Sequence, residues 1–172
     1  MKKLLTFIFA LVMVMSLSVT AFAESGTTTL TVNVPNAAEP SFTLHIPANT
    51  TLTYGNTEKQ RVSGDLYVEN VQNASKVNFL APYTDLINTS DSSDTIHMEL
   101  FAEMPYYSPD LYDPVDPTTG KVDDIVWSLY DVEWGTGDEY EKAAFHALVS
   151  DWSGATPGAT YQAIITFQVW AE

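Results

Sequence analysis

Cysteine is missing from this 172-residue chain, and only seven residues are basic. Without a thiol there are no disulfides, no iron–sulfur clusters, no thiol nucleophile and no cysteine zinc site. The shortage of base stands against 22 acidic side chains and a formal charge of −15. That balance excludes nucleic acid as a partner, because a phosphate backbone binds through basic groups that replace its counterions. It equally opposes docking on anionic lipid headgroups. The H-E-x-x-H pattern of zinc peptidases and the G-x-S-x-G elbow of serine hydrolases are both absent, and each of those chemistries relies on its local spacing. Apolar runs long enough to cross a bilayer are lacking after the first two dozen residues, so no transmembrane segment is expected in the rest of the chain.

The one long apolar run begins at Leu4 and ends at Val19, behind Lys2 and Lys3 and ahead of Ala21-Phe22-Ala23. A short positive start, an apolar stretch and an A-x-A site in that order predict a cleaved export signal over 1–23. Residues 24–172 are then expected as one domain, with every acid retained and two basic residues lost. An exported chain without disulfides suits a bacterium better than a eukaryotic secretory route. No cysteine follows the signal to carry a lipid, so any hold on a cell surface is expected to be non-covalent. The expected location is extracellular: secreted, or non-covalently associated with the cell wall.

The dominant pattern in the remainder has period two. Leu30, Val32 and Val34 alternate with Thr29, Thr31 and Asn33, and Phe42, Leu44 and Ile46 with Thr43 and His45. The same holds for Leu66 and Val68, Val77 and Phe79, Ile96 through Leu100, Ile125 through Leu129, and most strongly Tyr161 through Val169. Alternation marks strands with one dry and one wet face. Turn residues punctuate the runs, at Pro35, Pro40, Pro47, Gly55, Asn88 to Asp94 and Gly154 to Gly158. Asp138 to Ser150 reads as a short acidic turn followed by a strand. The fold class predicted is all-β, an antiparallel two-sheet β-sandwich of about seven to nine strands, immunoglobulin-like or related.

Residues 103–124 form the longest irregular stretch, with four prolines, Tyr106, Tyr107 and Tyr112, and acids at Asp110, Asp113, Asp116, Asp123 and Asp124. Long loops on a rigid scaffold are common contact surfaces. Tyr106, Tyr107 and Tyr112 are therefore the candidate ligand-binding residues, since exposed aromatic faces stack on sugars and on protein surfaces. Asp110, Asp113 and Asp116 are the candidate calcium ligands. Calcium takes six to eight oxygens, and the competing reading is a solvated acidic loop with no cofactor at all. Gly120 is present, but the EF-hand register is not. His45, His97 and His146 each fall on the polar phase of a strand and read as surface residues. His97 and Glu99 share a face, which alone is too common to signal a metal. Nothing in the sequence gathers a catalytic set, so no enzyme activity is expected.

Phe42-Thr43-Leu44-His45-Ile46-Pro47-Ala48 near the start and Pro157-Gly158-Ala159-Thr160-Tyr161 to Phe167 near the end resemble a layout of small exported β-sandwich proteins of Gram-positive bacteria. Trp127-Ser128-Leu129 also matches the bare W-x-L tripeptide of a cell-wall-associated family, while Phe167-Gln168-Val169 stands where its second W-x-L would be. The resemblance implies an immunoglobulin-like or related sandwich at the cell surface and no catalytic residues. The leading expectation is a non-enzymatic surface or secreted adhesion module whose partner is a cell-surface protein or glycan. The alternatives are a carbohydrate-binding module using loop aromatics, with or without structural calcium, and a subunit that assembles by exchanging a strand, its last strand Thr160 to Trp170 completing a neighbour's sheet.

Overall fold

The computed structural model describes residues 38–104, 112–134 and 140–172. Leu30 to Val34, Tyr106, Tyr107, Asp110 and the acidic turn expected near Asp138 lie outside these residues. What is described is antiparallel β-structure: β1 (Ser41–His45), β2 (Gln60–Gln72), β3 (Lys76–Leu80), β4 (Leu86–Asn88), β5 (Asp91–Ile96), β6 (Glu99–Glu103), β7 (Asp113–Pro114), β8 (Trp127–Asp131), β9 (Lys142–Leu148), β10 (Tyr161–Gln162) and β11 (Gln168–Ala171). One 3-10 turn follows β8, at Val132–Trp134. Two of the eleven strands are two-residue pairings. No helix among the described residues is long and apolar enough to cross a membrane.

One layer is a five-stranded sheet in the order β1-β2-β9-β6-β7. The other consists of two three-stranded sets, β11-β3-β8 and β10-β4-β5. These sets are successive lengths of one sheet. Tyr83 bridges Ile165, the Thr84 N–H donates to Ile164 O at 3.0 Å, and the Thr166 N–H donates to Pro82 O at 2.8 Å. The pairing begun by β3 and β11 thus runs on into β4 and β10. Seen this way, the molecule is the expected two-layer antiparallel sandwich.

The alternation read from the sequence chooses the dry faces. Leu66, Val68, Val77, Phe79, Leu100 and Leu129 are at most 1% exposed, and burial of each such side chain contributes about 1.5–3 kcal/mol. The main cluster joins β2, β6 and β9 to β3 and β8, with Phe145 edge-on to Phe79 at 6.2 Å and tilted against Phe167 at 5.3 Å. A second cluster of Leu86, Ile96, Met98, Ala147 and Val149 lies under β4 and β5. The carboxyl end is tied in by Asn78, whose Nδ2 donates to Glu172 Oε1 at 3.0 Å while its Oδ1 accepts from the Ser128 hydroxyl at 2.8 Å.

Several element boundaries differ from expectation. Asn88 to Asp94, read as a loop, holds the end of β4, a tight turn and the start of β5. Ile96 through Leu100, read as one strand, is divided between β5, which pairs with β4, and β6, which pairs with β9. Ile96, Met98 and Leu100 remain buried throughout: the chain changes sheets without changing the face it turns inward. The 103–124 stretch contributes the short β7 and the bridges Val115 to Val122 and Val122 to Ile125.

Candidate binding groove

The aromatic and acidic loop does not assemble one site from its described residues. Tyr112, 40% exposed, stands edge-on to the His146 ring at 4.7 Å. The Lys59 ammonium lies 4.3 Å from the Phe101 ring and 5.2 Å from that of Tyr112. His146 Nε2 is 2.9 Å from Glu103 Oε2. Since Phe145 and Ala147 point into the core, His146 points out of the sheet, yet it is only 7% exposed. The surface placement expected for this histidine is therefore wrong, and the covering Tyr112 is the reason. His97 is exposed and pairs with Asp85 at 3.0 Å, and half-buried His45 stacks flat on Tyr67 at 4.2 Å.

The two described aspartates have separate environments. Asp113 is buried on β7, and desolvation, with the Asp123 charge adding, pushes its carboxyl above the ordinary range. Asp116 instead accepts from the Thr119 N–H at 2.6 Å, the Thr119 hydroxyl at 2.8 Å and the Thr118 N–H at 3.0 Å. These bonds, those from Thr119 foremost, hold it below the ordinary range. It closes a turn whose next residue, Gly120, has φ +71° and accepts from the Ala81 N–H at 2.9 Å. Among the described residues, no three or more acids and histidines come close enough to hold a metal.

A concavity lies elsewhere, between the two layers. It encloses about 750 Å³, within the range of ligand sites. Its floor is Val62, Leu86, Met98 and Ala147, where the two core clusters meet. One wall is the segment after β1, from Pro47 to Leu52 with Tyr54; the other is Ala159 to Ile165 with Phe167. Trp152 also lines it, held by its Nε1–H donating to Asn56 O at 2.9 Å, and Tyr54, 71% exposed, leans edge-on against it at 5.2 Å. None of the described lining residues is charged, although 17% of the chain is.

Local chemistry shapes both walls. Pro47 ends β1, and the Ala48 N–H donates to Ser63 O at 2.8 Å, while the Ser63 N–H donates to Thr50 Oγ1 at 2.8 Å. On the opposite rim, Asp94 Oδ2 accepts from Asn88 Nδ2 at 2.8 Å, the Thr156 hydroxyl at 2.8 Å and the Tyr161 hydroxyl at 2.7 Å. These bonds, that from Asn88 foremost, keep its carboxyl below the ordinary range. Tyr54 and Trp152 are nearly a hundred positions apart, and no spacing in the sequence joins them.

No protein-family model matches the chain. Comparison with curated proteins likewise returns no match.

Proposed function

We propose that the protein is an exported, non-enzymatic interaction module that works by surface contact outside the cell, and that its contact surface is the groove between the sheets. The observation that supports this most is the uncharged lining of a 750 Å³ concavity in a chain of net charge −15. Such a lining selects a neutral partner by burial and hydrogen bonding rather than by ion pairing. The surplus of acid on the rest of the molecule maintains solubility and repels anionic wall polymers. Export through residues 1–23, as in the small Gram-positive surface proteins that the chain resembles, brings the module to its partners.

Two measurements test the reading. Expressed with its own leader in a Gram-positive host, the protein is expected in the medium or on the wall with Glu24 as its first residue; retention in the cytosol with Met1 intact refutes export. Gln162→Lys places a charge in the groove, and it is expected to weaken contact with the partner surface at least tenfold without lowering the melting temperature. Unchanged contact refutes the groove as the surface. A glycan partner is the second reading, supported by Tyr54 and Trp152 beside the neutral side chains of Asn49, Thr50 and Gln162.

A further inference from the structure

We infer that the Asp113–Pro114 peptide bond is a self-cleavage site: in mild acid the Asp113 carboxyl breaks its own main chain, and the two pieces remain one sandwich. The site lies apart from the groove and shares none of its described lining residues.

An aspartyl carboxyl reaches its own main-chain carbonyl carbon readily, because the closure makes a small, unstrained ring. The attack is productive when the carboxyl still has a proton to give and the leaving nitrogen accepts it. Proline meets the second need, since its tertiary amide nitrogen departs as a basic secondary amine. The chain holds two such pairs, Asp113-Pro114 and Asp116-Pro117, and the fold treats them oppositely. Asp113 lies across from Ala102, which is 0% exposed, and two residues before Val115, which is buried. Its side chain therefore faces inward. On that face β6 and the residue after it present Leu100, Ala102 and Met104, which carry no charge; the described charge acting on Asp113 is that of Asp123, of like sign. Among the described residues, no hydrogen bond reaches the Asp113 carboxyl. Burial foremost, and Asp123 with it, keep the proton on to a higher pH than usual. Asp116 has the reverse setting: Thr118 and Thr119 donate to it and favour its ionised form, which has no proton to transfer.

The scissile carbonyl is held as well. The Val115 N–H donates to Leu100 O at 2.9 Å. By the alternation of an antiparallel ladder, Asp113 and Ala102, two residues along on each strand, are then also a hydrogen-bonded pair. The Ala102 N–H thus serves the Asp113 carbonyl oxygen, where negative charge develops. Beyond the bond, Pro114 O accepts from the Asp123 N–H at 2.9 Å.

A side-chain oxygen of Asp113 bonds to its main-chain carbonyl carbon, the C–N bond to Pro114 breaks, and the carboxyl proton passes to the proline nitrogen. The products are a cyclic anhydride at Asp113 and a new amino terminus at Pro114. Water then opens the anhydride to the two carboxyls of a terminal aspartate. Sheet pairing holds the pieces together: β9 of the second lies between β2 and β6 of the first, and β8 and β11 of the second flank β3 of the first.

The test is mass spectrometry of the processed protein held at about pH 4.5, close to the carboxyl range, with protease inhibitors present. The bond after Asp113 is expected to break at least tenfold faster than the bond after Asp116, and the two to break at similar rates in guanidinium. In heavy-oxygen water the label should enter the side-chain carboxyl of Asp113 as well as the terminal one, the mark of an anhydride. Asp113→Asn should abolish the first cut and leave the second. Pro114→Ala keeps the carboxyl and should slow the first cut at least tenfold. Gel filtration without denaturant should return both fragments in one peak. An intact chain overturns the inference. So does a preference no greater than in guanidinium, a rate that rises with protein concentration, or label confined to the terminal carboxyl. Fragments that part without denaturant overturn its second half.

Discussion

Replacing Gly120 by alanine is expected to destabilise the fold by about 4 kcal/mol, and the figure is built from three costs and one gain. The residue sits at φ +71°, a left-handed conformation that costs an L-residue roughly 1–2 kcal/mol. A Cβ built on Gly120 would lie 2.3 Å from Pro82 Cδ, 2.3 Å from Pro82 N and 2.5 Å from Ala81 N. Two of these are backbone atoms and cannot rotate away, so the 116–120 turn must shift, at about 1–3 kcal/mol for overpacking. That shift stretches the 2.9 Å bond from Ala81 N–H to Gly120 O, worth about 1 kcal/mol. Against these stands about 0.4–1 kcal/mol from the stiffer unfolded chain. At roughly 3–5 °C per kcal/mol for a domain of this size, the melting temperature should fall by about 15 °C. Guanidinium unfolding followed by tryptophan fluorescence and by calorimetry supplies the number. Gly154→Ala is the control: it meets nothing within 4 Å and has no positive φ, so it should stay within about 0.5 kcal/mol. If Gly120→Ala is as mild as Gly154→Ala, the contact with Pro82 is not what requires glycine.

Phe145→Ala removes a side chain that is 0% exposed and touches Phe79 and Phe167; urea unfolding should show a loss of about 3–5 kcal/mol, and a loss below 1 kcal/mol would mean that the layers do not meet there. Asp113, raised by burial and by Asp123, binds its proton more tightly folded than unfolded. Its contribution is therefore full below the ordinary carboxyl range and is lost as pH rises through the raised value. Asp113→Asn should thus melt above the parent at pH 7 and lose that advantage at about pH 3.5; equal melting at both values would contradict a desolvated carboxyl. Calcium at about a hundred times the dissociation constant of a real site would add about 2.7 kcal/mol. With Asp116 committed to Thr118 and Thr119, thermal melting in millimolar calcium is expected to match melting in chelator, and a rise of several degrees would restore the calcium reading.

The strands were legible where one face is dry along a whole run, as in Val77 and Phe79 or Leu66 and Val68. Alternation reports the face a side chain takes, not the neighbour its backbone pairs with. Ile96, Met98 and Leu100 keep one phase while their hydrogen-bond partners pass from β4 to β9, so a corner between sheets looked like one continuous strand. Asp91 to Thr95 failed to announce a strand because it stays largely exposed, and a strand wet on both faces has no period to read. The groove was hidden for a different reason. Pro47 to Tyr54 and Ala159 to Phe167 are over a hundred positions apart, and only the β1–β2–β9 and β4–β10 pairings bring them together. Gly120 was visible as a turn glycine, but the need for it comes from Pro82, which sequence spacing does not place beside it.

The groove and the Tyr112 cluster differ in what a ligand would have to displace. Around Tyr112 the polar groups are already engaged: His146 with Glu103, Lys59 over two rings. A guest there must break contacts worth about as much as it makes, since a hydrogen bond exchanged for another gains little. Along Ala163, Ile165 and Phe167 no described residue hydrogen-bonds the main-chain groups, and the apolar side chains of Leu52 and Met98 line the groove beside them. A guest gains both terms at once: main-chain bonds at about 1 kcal/mol each and apolar burial at about 25 cal/mol per Å². The net charge of −15 opposes the approach of any acidic partner, and that repulsion acts between whole surfaces, whereas the described lining of the groove offers no charge for an ion pair. Added salt therefore lowers only the opposing term, with a screening length of about 10 Å at 0.1 M. Contact through this groove should tighten as salt rises, the reverse of an interface built on ion pairs.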